Sequence, residues 1–417
     1  MDNSKPDLIR SIGSQWVSVV YGAAVTFLLL LFLARRLGPS AFALYLYIQA
    51  VASLFAILQD GGFQVLLFRE NVTPSPGIGL SSEDLTSRYF GYVTLVTLLG
   101  MAAVLVSPAV LKGGFLLAFL YMALRCVTGL VSSVLKGHGA FQAEAFWRIQ
   151  LNTLLALPVL LLVGFTEPTP EKVFLGFVAG QIVLLAMKQG RRILSRPRFA
   201  FPPWHLWKTC LALVVISGAT TVYFRSDIVL LRHLQPDLAL VGQYGAAFQI
   251  LEGVILFATP VVHLCFRHLR LSWLDREVFL GRLGKILIGS AGAAFCITAA
   301  GLLFGPEVIL LAYGKAYGPA GEILPLLLFA LLFILPNFVL TQGLIALNEE
   351  RYYAVAAVLC AVFNVVLNLL LIPRYLAWGA ATSTVATEAL LTLLLGLRIF
   401  SLRRRRVPEG LPGESEN

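Results

Sequence analysis

The sequence predicts an all-α, polytopic membrane protein with about twelve transmembrane helices, on three observations. The chain of 417 residues is 58% hydrophobic and only 13% charged, whereas soluble domains carry about 25% charged residues. Its mean hydropathy is +0.83, and its apolar residues form runs of about 20, the length that crosses a bilayer as a helix. The Lys and Arg residues fall mainly in short loops between these runs, as the orientation of membrane helices requires.

The apolar runs place each span along the chain. The predicted spans are 13–34, 42–66, 88–109, 115–135, 147–165, 171–189, 208–232, 240–264, 284–304, 323–346, 352–371 and 377–399. The break between the third and fourth spans rests on Ser107-Pro108 and on Lys112-Gly113-Gly114. The alternative at that point is one long re-entrant stretch.

Charge orients the spans and divides them into halves. Most Lys and Arg residues fall on one side, which places both termini in the cytoplasm, whereas Arg35 and Arg36 go against this trend and are expected to snorkel to the other interface. The predicted parts are an N-terminal lobe 1–190, a cytoplasmic linker 191–207, a C-terminal lobe 208–400 and a basic, then disordered, cytoplasmic tail 401–417. Each half has six spans, so the two halves would be related by a parallel pseudo-two-fold axis.

A weak internal similarity supports this symmetry. The first half contains LARRLGPSAFALY (Leu33 to Tyr45), and the second contains LLRHLQPDLALVGQY (Leu230 to Tyr244). In both, a span ends in a basic residue, a Leu and a Pro turn, and the next span opens with Tyr. Substrate sites in transporters built from such repeats lie between the halves.

Two permanent charges, Arg125 and Arg225, lie well inside predicted spans, one in each half. A charge within a span costs several kcal/mol unless it faces protein or water. We expect both guanidinium groups to face a water-filled cavity. The alternative is buried pairing, for instance of Arg225 with Asp227 or Glu252.

Other polar residues follow single faces of several spans at helical spacing. They include Ser132 and Lys136 with Arg125, Ser217 and Thr221 with Arg225, Gln49 with Asp60, Gln249 with Glu252, Asn364 with Asn368, and Glu388. Such stripes either line a cavity or join helices by hydrogen bonds, and the second reading is the stronger one for Asn364 and Asn368.

The sequence argues against catalysis and against a metal site. It contains no Walker GxxxxGK[ST], HExxH or GxSxG motif. The five His residues lack metal-ligand spacing and the five Cys residues form no CxxC pair. The net charge of +10 is spread over membrane loops, so nucleic acid is not the expected partner.

Three stretches resemble a known family. They are SIGSQWVSVVYGAAVTFLLLLFLARRLGPSAFALY (11–45), VGQYGAAFQILEG (Val241 to Gly253) and NVVLNLLLIPRYLAWGAATSTVATE (Asn364 to Glu388). They resemble the oligosaccharide flippases, or polysaccharide transporters, of the O-antigen flippase-like branch of the multidrug/oligosaccharidyl-lipid/polysaccharide exporter superfamily. The likeness runs over most of the chain. Ala43 and Trp378 depart from the family pattern at helix starts and bear on local packing.

The resemblance implies two six-helix lobes around a central cavity that opens alternately to each side of the cytoplasmic (inner) membrane. It implies a polyprenyl-pyrophosphate-linked oligosaccharide as cargo, for cell-surface polysaccharides such as lipopolysaccharide O-antigen or exopolysaccharide. It also implies counter-flow of H⁺ or Na⁺, with no other cofactor. Membrane lipid, a polysaccharide polymerase and glycosyltransferases are the expected partners.

The chemistry of this cargo suggests roles for the polar residues. We expect Arg125, Arg225 and Lys136 to bind the pyrophosphate, because the planar fork of Arg holds phosphate oxygens bidentately. The expected sugar contacts are hydroxyl and amide side chains: Ser132, Gln49, Ser217, Thr221, Gln249 and Asn364. The expected ion-coupling groups are carboxylates that can take a proton or Na⁺: Asp60, Asp227, Glu252 and Glu388.

Three other functions remain as alternatives. A multidrug/cation antiporter of the same superfamily would show a more acidic cavity, and a lipid II flippase would carry extra spans. A non-transporting scaffold would pack its polar stripes against one another and leave no cavity. A membrane polymerase is disfavoured because the longest outer loop is only about 305–322.

Overall fold

The computed structural model describes residues 5–72, 81–107, 111–194, 203–270, 272 and 275–403, and these are helical nearly throughout. The helices are α1 (Lys5–Asp60), α2 (Phe63–Val72), α3 (Ser82–Val106), α4 (Lys112–Gly137), α5 (Phe141–Phe165), α6 (Pro170–Ala186), α7 (Lys188–Leu194), α8 (Trp204–Leu234), α9 (Leu238–Arg270), α10 (Arg276–Tyr313), α11 (Ala320–Phe329), α12 (Leu331–Ala346) and α13 (Glu350–Arg403). A short 3-10 helix, Lys315–Tyr317, joins α10 to α11. No strand occurs in these ranges, and the all-α fold class is confirmed.

Helices α1 and α13 are each long enough to cross the membrane twice, and each bends where the chain turns back. They have 56 and 54 residues, whereas about 20 helical residues span a bilayer. In α1 the bend is at Gly38, with φ 70°, a positive value that glycine adopts without steric cost, and Pro39 opens the second segment. In α13 the bend is at Leu376, with φ 55°, which is a strained conformation for a residue with a side chain.

The structure contains the twelve crossings that the sequence predicts. Eight described helical stretches are long and apolar enough to span a membrane, and two of these are the bent α1 and α13. Because α1 and α13 each cross twice, these stretches supply ten crossings. Helices α6 and α8 pack against them and supply the other two of the twelve within the described residues. Helices α3 and α4 are separate, so the predicted break between the third and fourth spans is confirmed.

The two halves share a core at one end of the bundle and have separate cores at the other. One cluster joins Ile48 of the first half to Tyr244 of the second. Two further clusters form, one around Trp147 of the first half, which also includes Leu206 and Cys210 of α8, and one around Phe279 in the second. The lobes therefore pack together at the end where α1 and α13 turn back, here called the turn end. They separate toward the opposite end, here called the terminal end.

Arg35 of α1 ties the two lobes together at the turn end. Its Nε donates to the carbonyl oxygen of Ala312 at 2.7 Å, and its Nη2 donates to that of Leu311. The Tyr317 hydroxyl donates to the carbonyl oxygen of Ala34 at 2.8 Å. The carbonyls at the C-terminus of α10 have no partner inside the helix, and the helix dipole favours a cation there.

Arg36 plays the same part within the first lobe. Its Nη2 donates to the carbonyl oxygens of Val163 at 3.2 Å and Gly164 at 2.9 Å, at the C-terminus of α5. The two arginines that go against the charge trend thus bind helix ends, and the expectation of simple snorkelling to the interface misses these contacts.

Two further contacts close the turn end. A Cβ added at Gly242 of α9 would lie 2.0 Å from the carbonyl oxygen of Pro39, so this crossing requires glycine. The Arg232 guanidinium lies 6.0 Å from the centre of the Tyr47 ring, within cation–π range. We call the contacts of Arg35, Tyr317, Gly242 and Tyr47 the turn-end seal.

Candidate functional site

A cavity of about 1090 Å³ lies between the lobes. Its walls come from α1, α2, α4, α5 and α6 on one side and from α8 and α9 on the other. Pockets for drug-sized ligands measure about 300–1,000 Å³, so this cavity has room for a large polar group. The lining residues of α1 fall in two groups, from Ser18 to Leu30 before the bend and from Tyr45 to Asp60 after it, and none of Arg35, Tyr47, Gly242 and Tyr317 is among the lining residues. The cavity therefore lies toward the terminal end, where the lobes have separate cores.

Arg125 faces this cavity from the middle of α4. The residue is exposed although it lies inside a membrane span, because it lines the cavity beside Tyr121. Among the described residues, no carboxylate oxygen lies within 4.0 Å of its guanidinium group. Arg125 is thus a permanent charge without a carboxylate partner in the described protein.

Arg225 of α8 faces the same cavity but has a counter-ion. Its Nη2 lies 3.1 Å from Oε1 of Glu252 on α9, and the two side chains are 28% and 24% exposed. Asp227 is buried instead and accepts hydrogen bonds from the Ile228 N–H at 2.8 Å and from the Tyr244 hydroxyl. Of the two pairings considered from the sequence, the structure contains the one with Glu252.

Several other predicted site residues line the cavity. Gln49, Thr221 and Gln249 lie in its wall, as does Asp60 at the end of α1. The Asp60 carboxylate accepts from the Gly62 N–H at 3.1 Å and from a tyrosine hydroxyl of α3 at 3.0 Å. The structure thus places three of the six predicted hydroxyl and amide contacts in the same cavity wall as the two arginines.

A side pocket of about 180 Å³ opens within the N-terminal lobe. Gln64, Arg125 and Arg148 line both this pocket and the central cavity. Ser132 lies in the side pocket, where its hydroxyl donates to Oε1 of Glu144 at 2.5 Å. These walls come from α2, α4 and α5.

Lys136 lies one turn beyond Ser132 on α4 and is directed at the same carboxylate. Its Nζ is 3.3 Å from Oε1 of Glu144, and it does not line either described pocket. The structure therefore separates Lys136 from Arg125 and Arg225, although all three were expected around one pyrophosphate.

Asn364 lies inside the C-terminal lobe and away from the cavity wall. It is 1% exposed. Its Oδ1 accepts from the Ser226 hydroxyl at 3.0 Å and from Nδ2 of Asn368 at 2.9 Å, and its own Nδ2 donates to Thr387 at 3.3 Å. These bonds join α8 to both segments of α13, as expected for an interhelical amide.

Glu388 is the centre of a second buried network in this lobe. It is 4% exposed and accepts from Nδ2 of Asn337 at 2.7 Å and from the Tyr223 hydroxyl. Glu388 and Asp227 therefore stand apart from the described cavity wall, unlike Asp60 and Glu252. The side chain of Ser217, the remaining predicted contact, lies outside the described residues.

Arg148 is a charged cavity residue that sequence reasoning missed, because it lies at the very start of the predicted span 147–165 and was counted among the positive charges of one membrane side. Helix α5 begins at Phe141, earlier than the predicted span, so Arg148 lies on its second turn. A usable signal was present, since Glu144, Arg148 and Asn152 follow one face at a spacing of four residues.

Membrane-crossing helices in two lobes around a polar cavity define a transporter fold. The solved structures similar to this chain include the lipid II flippase MurJ in an inward closed conformation (TM-score 0.69, 17% identity, covering 94% of this chain and 87% of that one). They also include an inward-facing multidrug resistance MATE family transporter of the MOP superfamily (TM-score 0.66, 13% identity, covering 91% of this chain and 96% of that one). At these identities the likeness concerns the fold alone.

Residues 8–264, more than half of the chain, match the family described as "Polysaccharide biosynthesis protein". The chain belongs to this family, which confirms the resemblance found in the sequence. Among curated proteins it is similar to the probable low-salt glycan biosynthesis flippase Agl15 of Haloferax volcanii. The identity is 24% over 406 residues, covering 93% of this chain and 82% of the relative.

Proposed function

We propose that the protein is a flippase that moves a polyprenyl-pyrophosphate-linked oligosaccharide across the cytoplasmic membrane for polysaccharide biosynthesis. The family and the Haloferax volcanii relative support the transport of a lipid-linked glycan. The observation that carries the proposal is the inter-lobe cavity with Arg125 and Arg225 in its walls.

The physical problem of this transport is the charge of the pyrophosphate. An ion cannot enter hydrocarbon without several kcal/mol of cost, and fixed cations in a wet cavity lower that cost. Guanidinium groups hold phosphate oxygens bidentately and stay protonated throughout. Gln49, Thr221 and Gln249 offer the hydroxyl and amide groups that suit sugars, while the lipid tail stays in the bilayer at a gap between the lobes.

Alternating access then requires the lobes to separate at the turn end. The turn-end seal closes that side in this conformation, so the cavity faces the terminal end, which the charge distribution assigns to the cytoplasm. Cargo would enter there, and breaking the seal would release it on the other side. Glycosyltransferases that supply the cargo and a polymerase that consumes it are the partners in this scheme.

Ion counter-flow is the proposed driving force. The sequence contains no Walker motif, and in this scheme a H⁺ or Na⁺ gradient biases the two conformations. The carboxylates that fit this role are Asp60 and Glu252 in the cavity wall, and Asp227 and Glu388 inside the C-terminal lobe. Flipping that ignores both gradients would remove this part of the proposal.

The test is a flipping assay in proteoliposomes. A fluorescent polyprenyl diphosphate-linked disaccharide is placed in both leaflets, and an impermeant quencher reports its transfer. Transfer that depends on the purified protein supports the proposal, whereas transfer of a cationic dye without transfer of the diphosphate lipid would favour the multidrug/cation antiporter. The cationic Arg125 already argues against a drug cation in this cavity.

A further inference from the structure

We propose that the side pocket of the N-terminal lobe is the subsite for the cargo diphosphate, with Arg125 and Arg148 as its anion-binding groups. This inference rests on the proposed function and sharpens it. The anion is held by one lobe alone, and it stays with that lobe while the other rocks.

The geometry of the pocket supports a small, charged occupant. Arg125 comes from α4, Arg148 from α5 and Gln64 from α2, all in the same lobe. The pocket of about 180 Å³ opens beside the much larger cavity, with which it shares these three residues. It has room for phosphate groups and water, while an oligosaccharide requires the space of the main cavity.

The charge balance of the two cavity walls differs. In the N-terminal lobe, Arg148 and Lys136 share one fully buried carboxylate, Glu144, at 2.8 and 3.3 Å. Arg125 adds a cation with no carboxylate partner among the described residues. Across the cavity, Arg225 is matched by its own acid at 3.1 Å. Counting Asp60 in the same wall, the N-terminal lobe has three cations against two carboxylates here, whereas the Arg225–Glu252 pair is balanced, so the net positive charge lies on the side of the side pocket and favours an anion there.

The neutral donors of the pocket are bonded to neighbouring protein groups. Ser132 donates to the buried carboxylate at 2.5 Å, Trp147 Nε1 donates to the Thr128 carbonyl at 3.2 Å, and the Thr128 hydroxyl donates to the Arg125 carbonyl at 3.1 Å. The charged groups that line the pocket are the guanidinium groups of Arg125 and Arg148, beside the Gln64 amide. Phosphate oxygens accept such donors, whereas a sugar hydroxyl also needs acceptors.

The experiment measures the binding of farnesyl diphosphate to the full-length protein in phosphatidylcholine nanodiscs by calorimetry, with farnesol as the uncharged probe. Arg125→Gln and Arg148→Gln are each expected to weaken farnesyl diphosphate binding by about tenfold or more, since each removes a charged hydrogen bond. Farnesol binding should not change. Arg191→Gln, which removes an exposed arginine of α7, is the matched control and should not change either value.

Two further variants keep the test valid if Arg148→Gln disturbs folding by leaving Glu144 short of a partner. Arg148→Lys keeps the charge beside Glu144 but loses the fork, and should weaken farnesyl diphosphate binding by an intermediate factor. Gly129→Ala leaves every charge in place. Its Cβ would lie 2.3 Å from Gln64 Oε1, so this side chain must move within the pocket, and binding should weaken several-fold.

Three results would overturn the subsite. The first is unchanged farnesyl diphosphate affinity in Arg125→Gln and Arg148→Gln, and the second is no saturable binding to the wild type. The third is that farnesyl diphosphate no longer binds in phosphatidylglycerol nanodiscs, while the affinity of the protein for phosphatidylglycerol itself depends on Arg148. That result would assign the pocket to a phospholipid headgroup. The flipping assay on the wild-type protein is independent of all three, so the subsite can fail while the proposed function stands.

Discussion

The two lobes contain similar polar residues but place them differently. In the N-terminal lobe, Arg125, Arg148 and Gln49 face the cavity. The C-terminal lobe contributes the paired Arg225 and Glu252 to this cavity, while its Asn364 and Glu388 are 1% and 4% exposed and bond to neighbouring helices. A polar stripe in a membrane span can thus line a wet cavity or join helices, and the N-terminal wall is where cationic charge exceeds its described acidic partners.

The largest expected effect comes from removing that surplus charge. Arg125→Gln should lower the flipping rate of a diphosphate-linked saccharide by at least about tenfold, because a charged hydrogen bond to phosphate contributes about 1.5–3 kcal/mol. Arg225→Gln should lower it by only about threefold, since Glu252 already offsets that cation. The measurement is the initial rate in proteoliposomes at equal protein density. Equal losses in the two variants would contradict the difference between the lobes.

The next effect concerns stability. Asn337→Ala removes a donor from buried Glu388 and should lower the free energy of unfolding by about 1–3 kcal/mol. Thermal unfolding in lipid nanodiscs measures it. Binding of farnesyl diphosphate should stay unchanged in the folded protein. The reverse pattern, with full stability and lost binding, would show that this network belongs to the transport site.

A smaller effect is expected at the turn end. Arg35→Gln removes two hydrogen bonds between the lobes and should shift the population of turn-end-open molecules several-fold, corresponding to about 1 kcal/mol. Spin labels on the two lobes at this end report the distance change. Arg36→Gln is the matched control, because its bonds lie within one lobe. An equal shift in both variants would mean that Arg35 does not hold the lobes together.

The smallest effect is expected for Ser132→Ala. Its hydroxyl donates to Glu144, which keeps three other partners: Gln15, Lys136 and Arg148. The flipping rate should stay within about twofold, because these three partners hold the carboxylate in place and the Ser132 hydroxyl is not one of the proposed anion-binding groups. A tenfold loss would instead support the expectation that Ser132 contacts the sugar.

Much of the fold follows from the sequence because the bilayer fixes helix length. The runs of about 20 apolar residues and the Gly38-Pro39 turn predict the crossings. The turn-end seal does not follow, since the acceptors of Arg35 are backbone carbonyls, which leave no pattern in the side chains. Helical spacing shows that Asn364 shares a face with Asn368, but it does not show whether that face meets water or another helix.

The site was predictable to the same extent. The two intramembrane arginines and the cavity amides were found because a charge or amide in hydrocarbon requires a partner or water. The sequence did not predict that Arg225 has a carboxylate partner while Arg125 has none among the described residues, because the pairing of Arg225 with Glu252 depends on how α8 and α9 pack. Arg148 was missed because it is the second residue of the predicted span 147–165 and was grouped with the positive charges of one membrane side, whereas α5 begins six residues earlier, at Phe141.

The most direct test is a structure of the full-length protein in nanodiscs with a bound polyprenyl diphosphate-linked disaccharide. Our account predicts phosphate density within hydrogen-bond distance of the Arg125 and Arg148 guanidinium groups, with the sugars in the main cavity. Phosphate density between Arg225 and the C-terminal lobe, with the Arg225–Glu252 pair broken and the side pocket filled only by water, would contradict it.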